Sequence, residues 1–298
     1  MKWELDILKR RYYSFVALIL VFVLITATGC GIRINGKDYN LFTTEKSDKV
    51  NFALGFGSES ANSQKITEDR QDSEQLQIQS DSGNINIKKS QTSKIEIESE
   101  KKVRGGSDAD KKKLLENMNV KLERDGKVIK VVVKTKDGKD FWNWKKDNYK
   151  TYQASINYDI SVPEGINVIE ADIGAGNIEV SNISSRLSLD TGAGNIDVQD
   201  VVVLNANKLN TGAGNIDFNG KFDGVSSFDA STGIGNVDFG VPEDTKFSLE
   251  ADTGVGVLSG SFIKKNSSEK LHFNGDINGG GPSVKLDTGV GNVDADQN

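Results

Sequence analysis

Thr191–Val198 reads TGAGNIDV, and the same phrase returns as TGAGNIDF from Thr211, TGIGNVDF from Thr232 and TGVGNVDA from Thr288. GAGNIEV, from Gly174, opens the series, TGVGVLSG from Thr253 is a degenerate copy, and SGNINI from Ser82 is a shorter relative. The first glycine falls at 174, 192, 212, 233 and 254, in steps of 18, 20, 21 and 21 residues. A fixed period of about 20 residues marks a stacked repeat architecture. Residues that recur once per repeat serve the repeat first, which makes them poor candidates for a single active site.

Each unit has one apolar pair before the glycines and one after. Leu187 and Leu189 precede Gly192, while Ile196 and Val198 follow it. Alternation with period two predicts half-buried strands on both sides of a glycine corner. The expected fold is therefore all-β, a single-stranded β-solenoid-like stack of Gly-x-Gly-Asn repeats, with one short helix in the N-terminal half. Gly-turned antiparallel hairpins forming a sandwich or barrel are the alternative.

The repeat residues are Gly174, Gly176 and Asn177; Gly192, Gly194 and Asn195; Gly212, Gly214 and Asn215; Gly233, Gly235 and Asn236; Gly254 and Gly256; and Gly289, Gly291 and Asn292. Glycine takes positive φ freely and so permits a sharp corner. The asparagines are expected to bond amide to amide from one repeat to the next, as in other ladders.

The 298 residues carry a net charge of −6 that conceals an asymmetry. Residues 165–298 hold 8 basic and 19 acidic residues, whereas 100–150 hold 16 basic and 9 acidic. The acidic half is a poor partner for nucleic acid, and no nucleic-acid motif is present.

At the amino terminus, Lys2, Lys9, Arg10 and Arg11 precede the apolar run Phe15–Ile25, which closes in Thr-Ala-Thr-Gly-Cys30. The run is shorter than the roughly 20 residues of a membrane span, and the pattern is that of a bacterial secretory signal. Cys30, the sole cysteine, stands where bacterial lipoproteins are lipidated, although Ala27 replaces the usual leucine. A lipid anchor at Cys30 is the expectation, ahead of an uncleaved membrane anchor or free secretion. All three place residues 31–298 outside the cytoplasm, and the lipid anchor would hold them on the extracytoplasmic face of the cell membrane.

The expected organisation is a signal peptide at 1–29, a polar tether at 30–73, an N-terminal β region at 74–163 and the repeats at 164–298. Asp108–Met118 is the one expected helix. Asp-Gly within Glu123–Lys127 signals a hairpin.

Several features look chemical. Asp-Thr-Gly at Asp190, Asp252 and Asp287 resembles an aspartic-protease loop, but Asn210 and Ser231 replace the acid in equivalent repeats. Asp197, Asp217 and Asp238 recur two residues beyond the asparagines and are expected to form a solvated face; weak calcium binding is the rival reading. His272, the only histidine, is expected on a strand surface. Trp142, Trp144 and Tyr149, beside Lys145 and Lys146, form the most distinctive patch outside the repeats. They are either a cap on the first repeat or a binding site for a sugar ring or an anionic polymer. No nucleophile–His–acid set, zinc cluster or phosphate loop is present, so no catalytic residue, cofactor or metal is expected.

Tyr158–Gly165 (YDISVPEG), followed by serial Thr-Gly-x-Gly-Asn-Ile-Asp units, resembles a bacterial family of exported β-strand-repeat proteins, the DUF4097 group, described as adhesins. The resemblance spans about residues 74–296. It implies a membrane-tethered, non-enzymatic adhesin or envelope scaffold, with cell-wall polymer or another envelope protein as partner. An accessory role in envelope-stress signalling and a polysaccharide-acting β-solenoid enzyme are the alternatives.

Overall fold

The computed structural model describes residues 32–34, 37–39, 59–263 and 271–298. The chain divides at Leu54/Gly55 into two units. In the first, β1 (Ile32–Ile34) and β2 (Lys37–Tyr39) form a short antiparallel pair. Cys30 and the apolar run before it lie outside the described residues. Among those described, no helix is long and apolar enough to cross a membrane.

The second unit opens with β3 (Ser60–Asp69), β4 (Gln75–Ser82), β5 (Ile85–Lys89) and β6 (Lys94–Arg104). Helix α1 (Asp108–Asn117), β7 (Asn119–Asp125), β8 (Val128–Lys134), helix α2 (Phe141–Asn148) and β9 (Gln153–Val162) follow. The repeats supply β10 (Val168–Ala175), β11 (Ile178–Ser181), β12 (Ser184–Ala193), β13 (Ile196–Ala213), β14 (Ile216–Ile234) and β15 (Val237–Val241). The last five strands are β16 (Phe247–Val255), β17 (Leu258–Ser259), β18 (His272–Ile277), β19 (Ser283–Val290) and β20 (Val293–Gln297).

The all-β expectation holds. These eighteen strands belong to one hydrogen-bonded sheet, nearly closed and barrel-like. Two parallel rows run through it. Before the glycines, β8, β4, β10, β12, β13, β14, β19 and β16 lie side by side in that order. After the glycines the order is β9, β5, β11, β13, β14, β15, β20 and β17. Equivalent residues meet: Thr191 faces Thr211, and Thr211 faces Thr232.

Stacking order departs from chain order at both ends: β8 and β9 lie outside β4 and β5, and the C-terminal rungs are interleaved. β19 and β20, from the last repeat, are inserted between β14–β15 and β16–β17. The degenerate repeat from Thr253 is thereby the final rung.

Antiparallel strands close the rows. β6 pairs β9 and β3 pairs β6; β7 pairs β8; and β18 pairs β16. A uniformly single-stranded parallel stack does not describe these ends. β3 also lies within the segment expected to be tether, because Ile66 packs against the core and the strand pairs β6 along its whole length.

Among the described residues two helices form where one was expected. α1 is N-capped by Ser107, whose hydroxyl accepts from the Asp110 amide at 3.2 Å, so the cap is Ser and not the neighbouring Asp. α2 is the aromatic segment FWNWKKDN. Asp140 caps it by accepting from the Asn143 amide at 2.9 Å, and Phe141 is fully buried beneath it. Tertiary packing of the rings overrides a composition poor in strong helix formers.

Inward residues alternate as the period-two pattern requires. Leu187, Leu189, Ile196 and Val198 are all buried, and so are their counterparts Phe228, Ala230, Val237 and Phe239. Burying such large apolar side chains stabilises by about 1.5–3 kcal/mol each. Toward the C-terminal end the core becomes aromatic. Phe218, Phe228, Phe239 and Phe247 pack with ring centroids 4.5–5.8 Å apart.

Candidate functional site

The repeat residues form continuous ladders. The Asn195 amide N–H donates to Asn177 Oδ1 at 2.9 Å, Asn215 to Asn195 at 2.8 Å, and Asn236 to Asn215 at 2.9 Å. Asn292 donates to Asn236 at 2.9 Å and Val257 to Asn292 at 3.0 Å. At the other end Asn177 donates to Asn84 and Asn84 to Asn157, both at 3.0 Å. The bonds run from main-chain N–H to side-chain oxygen, not amide to amide as expected. A corner N–H otherwise lacks a strand partner, and the asparagine oxygen supplies one.

The glycines are needed for close approach. A Cβ on Gly192 would lie 2.5 Å from the Gly174 carbonyl oxygen, and one on Gly212 would meet Gly192 in the same way. A row that sequence reasoning did not single out lies alongside. Thr191, Thr211, Thr232, Thr253 and Thr288 are buried, and each hydroxyl donates to a glycine carbonyl of the adjacent rung at 2.8–2.9 Å.

The Asp-Thr-Gly acids join a polar row. Asn210 Nδ2 donates to Asp190 at 2.7 Å, and Ser231 donates to Asn210 at 2.9 Å. Asp287 faces Ser231 on one side and Asp252 on the other. Asp252 Oδ1 lies 2.6 Å from His272 Nδ1, so the histidine sits half-exposed in β18 as a partner of that carboxylate.

Glu179, Asp197, Asp217, Asp238 and Asp294 occupy successive rungs of another row. Partial burial raises the Asp238 pKa above the ordinary carboxylate range, and the flanking Asp217 and Asp294 charges add to the shift. Burial likewise raises Asp294, against the opposing hydrogen bond from Ser259 at 2.6 Å. Among the described residues no group of three His, Cys, Asp or Glu side chains has an arrangement that could hold a metal ion.

The aromatic patch stands outside these ladders. Its rings form a chain: Trp142–Phe141 at 5.2 Å, Phe141–Trp144 at 6.0 Å, Trp144–Tyr149 at 5.2 Å and Tyr149–Tyr152 at 5.5 Å. Trp142, Trp144 and Tyr149 are half-buried and pack against the core. Of the three, Trp142 alone lines the adjoining groove of about 580 Å³. Tyr152, Asp81, Lys102, Arg104, Lys145 and Lys150 also contribute to its wall.

Lys102 is paired to Glu100 at 2.8 Å, and Arg104 to Glu59. No carboxylate among the described residues ion-pairs Lys145 or Lys150. Desolvation raises the Asp81 pKa, opposed by the nearby Lys145 and Lys146 charges. The Trp142 Nε1–H is buried with no acceptor among the described residues. Asp81, Lys102 and Arg104 were not legible as one site, since β4, β6 and α2 meet only in the folded chain.

No family model matches the chain, and no curated protein matches it. Among solved structures it is similar to a putative cell adhesion protein from Clostridium sporogenes at 14% identity and a TM-score of 0.42, covering 80% of this chain and 100% of that one. A putative adhesin from Bacteroides fragilis is similar at 14% identity and TM-score 0.34, with 81% and 98% covered. One from Parabacteroides distasonis gives 11% identity and TM-score 0.28, with 81% and 98% covered. Scores this low carry no argument about function.

Proposed function

We propose that the chain is a membrane-tethered, extracytoplasmic scaffold of adhesin type. Its Gly-x-Gly-Asn rungs act as a β-solenoid-like body, and its groove beside α2 grips an anionic envelope polymer. Cys30 is the proposed lipid anchor. The observation that carries the binding role is the groove. It joins an indole and a phenol to four cations, and two of those cations, Lys145 and Lys150, have no ion-pair partner among the described residues. Such a wall suits a polymer that offers sugar faces for stacking and phosphate or carboxylate groups for charge pairing.

The ladders support the scaffold part of the reading. Repeat Gly, Asn and Thr groups are engaged by neighbouring rungs, which leaves groups outside the consensus to meet a ligand.

The test is co-sedimentation of the full chain with purified cell walls carrying, or stripped of, their anionic polymers. K145E/K150E should weaken binding at least about tenfold with the melting temperature unchanged, and stripping should do the same. Binding that survives both would refute the assignment.

A further inference from the structure

One carboxylate in the groove beside α2 lacks a counter-ion. Asp81, the penultimate residue of β4, shares the wall with Lys102, Arg104, Lys145 and Lys150. Lys102 is committed to Glu100 at 2.8 Å and Arg104 to Glu59. No cation among the described residues forms an ion pair with Asp81. Its side chain is open to the groove, yet the walls desolvate it in part. That desolvation raises the Asp81 pKa more than the Lys145 and Lys146 charges lower it, and Asp140 pushes upward too.

Two aromatic side chains complete the wall, Trp142 and Tyr152. The Tyr152 hydroxyl donates to Asp110 at 2.7 Å and accepts from the Ser107 amide at 3.1 Å, while its ring meets Tyr149 edge to face. The phenol is therefore held in place before any ligand arrives. A fixed aromatic ring beside a carboxylate is suited to an ammonium group. Unpaired lysines are suited to phosphate or carboxylate. Both kinds of receptor line one cavity of about 580 Å³. A purely anionic ligand would set a like charge against Asp81, and such juxtaposition works against binding.

We propose that Asp81 selects the ligand of this groove, which takes a zwitterionic unit carrying an ammonium a few atoms from a phosphate or carboxylate. The ammonium meets Asp81 beside Trp142 and Tyr152, and the anion meets Lys145 and Lys150. This assignment rests on the groove reading above and narrows its ligand to one that also bears amines. An amine-bearing envelope polymer and an aminophosphate lipid headgroup both present that chemistry.

The experiment is co-sedimentation of the full chain in detergent with purified cell walls, before and after acetic anhydride converts their amines to neutral amides. Wild type should bind the untreated walls at least about fivefold more tightly, the scale of one ammonium contact. Asp81→Asn should bind both preparations alike with the melting temperature unchanged; if it melts early, Asp81→Ser replaces it with the same expectation. Excess glycerophosphoethanolamine as competitor separates the sources: release of the chain marks a lipid headgroup, and retention marks the wall polymer. K145E/K150E should lose binding to both preparations, and undiminished binding there would sink the groove itself. Loss in K145E/K150E together with a wild type indifferent to acetylation, or an Asp81→Asn that still discriminates, would overturn the role of Asp81 alone.

Discussion

Gly194→Ala is the sharpest test of the stacked corners. Gly194 has φ +150°, and a Cβ there would sit 2.5 Å from the Gly176 carbonyl carbon and nearer still to its oxygen. Relieving that collision requires the rungs to part by about 1 Å of their ~4.8 Å spacing. Four hydrogen bonds cross the gap. Gly176 N–H donates to Ala193 O, Ile178 N–H to Asn195 O, Asn195 N–H to Asn177 Oδ1, and the Thr191 hydroxyl to Gly176 O, all at 2.9 Å. At about 1 kcal/mol each, with about 1–3 kcal/mol for a side chain forced into this φ region, the loss reaches about 5–7 kcal/mol. Whole domains are stable by only about 5–15 kcal/mol.

Gly126→Ala is the matched control. Gly126 has φ +57°, yet nothing lies within 4 Å of its would-be Cβ, so the change costs only about 1 kcal/mol of backbone preference. Equilibrium urea unfolding followed by tryptophan fluorescence compares the two. A Gly194→Ala loss within 1 kcal/mol of the Gly126→Ala loss would refute the close-packed corner.

Asn215→Ala removes the acceptor of the Asn236 amide and should cost about 1 kcal/mol in the same titration. Asp238→Asn should raise the melting temperature at neutral pH, because it removes a charge pressed between Asp217 and Asp294, a like-charge effect of about 0.2–1 kcal/mol. The sign follows from the raised folded-state pKa. The folded protein holds the Asp238 proton more tightly than the unfolded chain, so the wild type is relatively better off in acid and loses that advantage as pH rises through the folded value. The gain from Asp238→Asn should therefore shrink in a melting series carried down to acid pH, and a gain that grows there would contradict the assignment. Mass spectrometry of the mature protein checks the anchor: a diacylglyceryl mass on Cys30 is expected, and an intact Met1 would exclude it.

The rows were legible because each rung repeats the same local demands: glycine for the approach, asparagine for the corner amide, alternating apolar residues for the core. Where the repeat ends, the signal ends with it. Val257 looks like simple decay of the motif, and only the pairing of β20 with both β15 and β17 gives it a reason as a ladder terminus. α2 was missed because Phe, Trp and Asn favour helix weakly, though Asp140 three residues before Asn143 was a readable cap. The groove draws Asp81, Arg104 and Trp142 from distant parts of the chain, and no local pattern announces such a meeting.

The insertion of β19 and β20 beneath the Thr253 repeat has a consequence for biogenesis. A chain emerging amino terminus first can lay the rungs from β10 onward one upon the next only as far as Val241. The hairpin of β16 and β18 must then wait, unseated, until residues 283–297 emerge and slide into place. Completion of the stack is thus tied to residues 283–297, and a product that lacks them loses an internal layer together with the support of everything above it.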